Sequence, residues 1–148
     1  MTVLDVGCGL APEGDVNTDI QKRRVPNFVQ CDVYHLPFRD KAFTHVVMNH
    51  VLEHLHNPLV ALKELKRVCH NVHVSVPNSR YYRLCQLSPD HIWGWSSFEL
   101  ENLLNIVFRN VHVNGSIRLM RRSKMGTVKA YLLMLFLRER NELTAVCN

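Results

Sequence analysis

Val3-Leu4-Asp5-Val6-Gly7-Cys8-Gly9 is the stretch that decides the fold, and Asp19 follows ten residues after Gly9. A short apolar run that breaks directly into Gly-x-Gly reads as a buried strand ending in a tight turn. Glycines at such a turn let the backbone approach a ligand, and an acid shortly after can accept hydrogen bonds from ribose hydroxyls. That is how a nucleoside-bearing cofactor is held at the carboxyl edge of a parallel sheet. Gly-x-Gly alone also serves ordinary turns, so the weight falls on the rest of the chain.

Downstream, apolar runs alternate with helical patterns, which predicts an α/β sheet. Strands are expected over Val3–Val6, Val16–Thr18, Phe28–Cys31, His45–Met48, Val72–Val76, Val111–Ile117 and Leu143–Val146. Asn57-Pro58 supplies a helix cap with proline at the first helical position, and Leu62, Leu65 and Cys69 form one face of the helix after it. Ser96 and Glu99 have the spacing of a capping box, ahead of Leu100, Leu103, Leu104 and Val107 at i, i+3, i+4, i+7. Residues 79–95 read as a loop and 127–140 as a helix.

The bulk numbers suit one domain over residues 1–148: hydrophobic residues make up 47% and charged residues 21%. The longest apolar run, Ala130–Leu137, is far shorter than a membrane span, and no signal peptide is expected because the first residues already read as a strand. Five scattered cysteines without a Cys-x-x-Cys pair point to a reducing, cytoplasmic setting. The net charge of +5 gathers partly in Lys22-Arg23-Arg24 and in Arg118, Arg121, Arg122 and Lys124. No nucleic-acid motif and no interleaved aromatics accompany these clusters, so a solvated basic face is the expected reading and nucleic acid is not favoured.

Four segments line up behind the glycine turn. Asp19 is the first acid, and Cys31-Asp32-Val33 places a second at the end of the third strand. Leu36-Pro37-Phe38-Arg39-Asp40-Lys41-Ala42-Phe43 comes next, then Val46-Val47-Met48-Asn49-His50-Val51-Leu52-Glu53-His54-Leu55. As a set these resemble the class I S-adenosylmethionine-dependent methyltransferases, most closely the compact branch with small-molecule substrates. The similarity continues through Ser88-Pro89-Asp90-His91 and Phe98-Glu99-Leu100 to Phe108 and so spans most of the chain.

The resemblance implies a three-layer Rossmann-like sandwich with a mostly parallel seven-stranded sheet, its last strand antiparallel and inserted beside the fifth. It implies S-adenosyl-L-methionine as cofactor and methyl transfer to an oxygen, nitrogen or carbon of a small acceptor. It assigns Gly7 and Gly9 to the methionine and ribose part, Asp19 to the ribose hydroxyls, and Asp32 with the Val33 amide to adenine. Asp5 supports the glycine turn, with Cys8 and Ile20 completing the cofactor-binding set. Asn49 and His50 face the donor and the acceptor, and His50 and His91 are the candidate catalytic bases.

Two departures from the pattern matter. The link Leu10–Asp15 is too short for the helix usually found there, although six extended residues span roughly 20 Å, enough for a bare-loop crossover. The usual acid after Phe43 is Thr44, a change expected to affect only the start of a strand. The helix that often precedes the glycine turn is not in this sequence, which raises the expectation of a homodimer or a partner subunit covering the site. It also keeps open a rival reading, a degenerate, non-catalytic partner domain. An acceptor pocket open beside His50 and His91 favours the enzyme, and one plugged by Trp93 or Trp95 favours the partner. An RNA or protein methyltransferase rests on the basic clusters alone.

His50-Val51-Leu52-Glu53-His54 also matches His-x-x-Glu-His, in which two histidines one helical turn apart hold zinc. With no third ligand in view, no metal is expected, and Glu53 and His54 are expected to begin a helix beneath the cofactor. Tyr81 and Tyr82 are read as packing residues, and Cys8 and Cys31 as small apolar residues at strand ends.

Overall fold

The computed structural model describes residues 2–79, 89–116 and 142–148. Seven strands form one sheet: β1 (Val3–Val6), β2 (Val16–Asp19), β3 (Phe28–Gln30), β4 (Phe43–Asn49), β5 (Cys69–Pro77), β6 (Val111–Ser116) and β7 (Glu142–Cys147). Their order is β3-β2-β1-β4-β5-β7-β6. β1 to β5 pair in parallel, and β7 slots between β5 and β6, antiparallel to both. This is the Rossmann-like arrangement expected, with the last strand beside the fifth. The strand order reverses between β1 and β4, and at such a switch point the loops leaving the carboxyl ends diverge and open a crevice.

The central strands are buried at nearly every apolar position. Leu4, Val46, Met48, Val72, Val74 and Val76 are all inaccessible to solvent or nearly so. Runs of branched residues suit a sheet covered by helices. α1 (Pro58–Val68) starts where Asn57 accepts a hydrogen bond from the Val60 amide and proline occupies the first helical position. It buries Ala61, Leu62, Leu65 and Val68. Cys69, expected on this helix face, instead begins β5 opposite Phe43, so that strand starts three residues earlier than the apolar pattern suggests. α2 (Ser97–Val107) carries the expected capping box: the Glu99 amide donates to the Ser96 hydroxyl, and the Glu99 carboxylate accepts from the Ser96 amide. The Lys66 ammonium on α1 donates to the carbonyl of Val107 at the end of α2.

The β1–β2 crossover, residues 7–15, is a bare loop. Backbone hydrogen bonds hold it down: the Gly7 and Cys8 amides both donate to the Thr18 carbonyl, and the Asp15 amide donates to Val3. Thr44 anchors the start of β4, its hydroxyl accepting from the Thr2 amide at 2.9 Å.

One expectation fails here. Glu53 and His54 do not open a helix. They belong to a single 3-10 turn, Leu52–His54, and the chain leaves it extended at Leu55. Pro58 is the physical reason, since the residue before a proline is pushed out of helical conformation; Asn57 therefore becomes a cap and separates the turn from α1. The helix expected over 127–140, the apolar run Ala130–Leu137, Tyr81, Tyr82, Ser88, Cys85, Ile117 and the cluster Arg118, Arg121, Arg122 and Lys124 lie outside the described residues.

Candidate active site

The glycine turn sits at the carboxyl end of β1. Gly7 and Gly9 both adopt left-handed backbone, with φ of +76° and +55°. At Gly7 a Cβ would fall 2.2 Å from Val51 Cγ2, whereas at Gly9 it would meet nothing within 4 Å. The first glycine is therefore required by packing, and the second leaves bare backbone facing open space.

Asp19 ends β2 next to that turn. Its Oδ2 accepts from the Gly9 amide at 3.1 Å and from Arg23 Nε at 3.0 Å, and its Oδ1 accepts from the Gln21 amide at 2.8 Å. A carboxylate offers about four acceptor positions, so this one is oriented yet not saturated. Asp32 lies just beyond β3 and accepts from the Tyr34 amide at 2.9 Å. Its side chain is fixed by an Asx turn, which the short polar residue makes locally.

β4 ends at Asn49, and His50 turns the chain with φ +54°, an uncommon conformation for a residue with a side chain. The His50 amide donates to the Ser75 carbonyl at 3.0 Å. Its ring lies between two acids: Nδ1 is 3.5 Å from Glu53 Oε1, and Nε2 is 3.5 Å from Glu142 Oε1.

These strand ends enclose a cavity of about 600 Å³, within the range of small-molecule and cofactor sites. Seven residues expected at the cofactor line it: Gly7, Gly9, Asp19, Ile20, Asp32, Val33 and His50. Asp5, Cys8 and Asn49 are not among the lining residues. Asp5 Oδ2 accepts from the Glu13 amide at 2.8 Å, which supports the crossover loop, and burial raises its carboxyl above the ordinary value. Asn49 accepts from the Ser75 hydroxyl at 3.0 Å. Cys8 is buried, and desolvation raises its thiol; Cys147 is pushed up to about 12 by burial. These thiols are not ionised near neutral pH and behave as small apolar groups.

Sequence reasoning missed Arg23, Tyr34, His54, His56 and Asp90, all of which line the cavity. Arg23 falls in a basic run that reads as solvated, although its i+4 spacing from Asp19 is a usable signal. His91 stands off the cavity, packed edge-on against the His54 ring at 4.7 Å. Trp93 and Trp95 stack on each other with centroids 5.8 Å apart, and neither lines the cavity. Trp93 Nε1 donates to the Leu55 carbonyl.

Residues 6–72 match the methyltransferase-domain family. The chain superposes over 99% of its length on 81% of a S-adenosylmethionine-dependent methyltransferase of Thermotoga maritima, described as a possible histamine N-methyltransferase, with TM-score 0.75 and 14% identity. It superposes equally completely on 80% of a chain in the complex between the Haloferax volcanii Trm112 methyltransferase activator and a methyltransferase, with TM-score 0.73 and 16% identity. A S-adenosylmethionine-dependent methyltransferase of Aquifex aeolicus is also similar, with TM-score 0.61, 17% identity and 81% of that chain covered. A comparison with curated protein sequences finds no match. The fold is that of known methyltransferases. The family match covers residues 6–72, somewhat under half of the chain, and the structural likeness is to class I S-adenosylmethionine-dependent methyltransferases. Among the described residues no helix is long and apolar enough to cross a membrane.

Proposed function

We propose that this chain transfers a methyl group from S-adenosylmethionine to an oxygen, nitrogen or carbon of a small acceptor that reaches the cavity beside His50. The observation that carries this reading is one cavity bounded by Gly9, Asp19, Asp32 and His50. The residues suit the cofactor: bare backbone at Gly9, an oriented carboxylate at Asp19 with acceptor capacity left on Oδ1, and a second carboxylate at Asp32. Bound S-adenosylmethionine supplies a methyl group already activated toward nucleophiles, so the protein mainly provides positioning. Asp19 accepts the ribose hydroxyls, Asp32 and the Val33 amide hold adenine, and Asp5, Cys8 and Asn49 support those contacts from behind.

His50 lies at the cavity, held between Glu53 and Glu142, and is the group to take a proton when the acceptor must lose one. His91, expected to share that task, is turned toward His54 instead and is not assigned it. The two tryptophans lie off the cavity, which favours an enzyme over a degenerate partner domain. Arg23 is engaged by Asp19 rather than presented as part of a basic strip, which favours a small acceptor over nucleic acid. Leu10 and Ile20 are 82% and 64% exposed beside the glycine turn and Asp19; together with the activator subunit of the Haloferax neighbour, they support a partner subunit or second copy as cover. Cys8, Cys31, Cys69 and Cys147 are unpaired, which supports a reducing, cytoplasmic setting.

Calorimetry with S-adenosylhomocysteine tests the reading. One molecule is expected per chain, and Asp19→Ala is expected to weaken it tenfold or more, since hydrogen bonds to charged groups contribute about 1.5–3 kcal/mol. His50→Ala is expected to slow turnover while leaving that affinity within about tenfold. Unchanged binding by folded Asp19→Ala removes the ribose assignment.

A further inference from the structure

In the scheme above the buried carboxylate of Glu53 does no more than stand beside the His50 ring. Glu53 is 1% exposed, and among the described residues neither of its oxygens accepts a hydrogen bond; His50 Nδ1 stands 3.5 Å from Oε1, beyond good hydrogen-bond distance. An ionised carboxylate without donors is among the costliest groups to bury, and proteins retain one where a cation compensates it.

Two imidazoles complete such a site. Glu53, His54 and His91 each offer one ligand atom, and the three atoms lie within 4.8 Å of one another. Metal–nitrogen and metal–oxygen bonds of about 2.0–2.2 Å need a contraction of roughly an ångström, within reach of two half-buried histidines. His54 is already set in the required tautomer. Its Nδ1 lies 3.1 Å from the Asp90 carbonyl, a carbonyl can only accept, and so Nδ1 carries the proton while Nε2 keeps its lone pair. A backbone carbonyl on the second ring nitrogen is the usual support for a metal-bound histidine.

The partner segment is stapled in place without any metal. The Ile92 and Trp93 amides both donate to the Glu53 carbonyl, at 2.9 and 3.1 Å. This is not the His-x-x-Glu-His zinc pattern of the sequence. His50 and His54 do not share a helical turn, because His50 is left-handed and the turn after it is a single 3-10 turn. The third ligand comes from a loop 37 residues after His54, which is why the linear motif showed no complete set.

We infer that Glu53, His54 and His91 form a binding site for a divalent transition-metal cation. Two imidazoles and one carboxylate suit zinc, cobalt or manganese better than the all-oxygen preferences of calcium or magnesium. Three protein ligands leave a position for water or for an oxygen of a second ligand. His54 lines the cavity, so that position opens toward it; this last role, as a contact for the acceptor, rests on the reading of the cavity as the site of methyl transfer.

The test uses chelator-treated protein, without cofactor or acceptor, titrated with zinc by calorimetry and with cobalt by visible absorption. One ion per chain is expected, with a ligand-field spectrum of nitrogen and oxygen ligation. Glu53→Gln and His91→Asn are each expected to weaken binding tenfold or more, with folding checked by circular dichroism. His91→Asn keeps the test decisive should Glu53→Gln not fold. His112→Asn, at an exposed position on β6, is expected to bind as wild type and so excludes general capture by the nine histidines. Failure to bind one ion per chain, or affinity that His91→Asn leaves unchanged, overturns the site. Cation binding with no affinity for S-adenosylhomocysteine removes the methyl-transfer reading and leaves the cation site standing.

Discussion

Replacing Gly7 with alanine adds one methyl group at the point where β1 turns under Val51, and two separate penalties result. The backbone there has φ +76°, where an L-residue costs about 1–2 kcal/mol. The new Cβ also falls 2.2 Å from Val51 Cγ2. Valine has one strongly preferred rotamer and cannot swing aside cheaply, so overpacking adds about 1–3 kcal/mol. The sum is about 3 kcal/mol, which for a domain of this size lowers the melting temperature by roughly 6–12 °C. In a Val51→Ala background the overlap is gone, and Gly7→Ala should cost only the strain, about 1–2 kcal/mol. Gly9→Ala offers the opposite contrast. Its φ of +55° carries the same strain, but its Cβ meets no atom within 4 Å. Its stability should fall by that strain alone, about 1–2 kcal/mol, while the methyl occupies cavity space and S-adenosylhomocysteine affinity falls tenfold or more. Thermal denaturation of the four variants, with calorimetry on the Gly9 variant, measures all of this. An equal cost of Gly7→Ala in both backgrounds refutes the role of Val51, and a Gly9→Ala less stable than Gly7→Ala refutes the whole account.

Two further outcomes are expected away from the cavity. Arg67 makes paired hydrogen bonds to Glu64 at 2.6 and 2.8 Å and also donates to the Leu36 and Phe38 carbonyls. The guanidinium holds the Glu64 carboxyl below its ordinary value of 4.5. A carboxylate with a depressed folded pKa adds stability above its unfolded pKa and loses it as pH falls through the folded pKa. Glu64→Gln should therefore melt lower than wild type at pH 7, by about 1 kcal/mol, and the gap should close below about pH 4; a gap of equal size at pH 3 contradicts the linkage. Ser96→Ala removes the hydroxyl that accepts from the Glu99 amide and should cost about 1 kcal/mol, seen as a drop of roughly 2–4 °C in melting temperature. A melting temperature unchanged from wild type means that α2 does not depend on its cap.

Local chemistry made much of this architecture readable. Alternation of branched apolar runs and amphipathic stretches placed all seven strands, because strand and helix patterns depend on neighbours two to four residues apart. Asn57-Pro58 and Ser96-x-x-Glu99 announced their helices because a cap is satisfied within one turn. The short Leu10–Asp15 link correctly implied a bare crossover, since chain reach is a matter of counting residues.

The misses have local and long-range causes. Cys69 changed from helix to strand because Phe43, 26 residues earlier, pairs with it across the sheet. Arg23 left its basic run because Asp19 is brought to an angle where the guanidinium can reach it. Glu53 and His54 lost their helix to the proline beyond them, and then met His91 only because the Glu53 carbonyl accepts the amides of a distant loop. A glycine turn, two acids at strand ends and a family resemblance can be read in one dimension because each is a short segment with its own geometry. Which side chains face the cavity, which acid is left without a donor and which histidine arrives beside it depend on contacts between distant segments, and those contacts exist only once the sheet has closed.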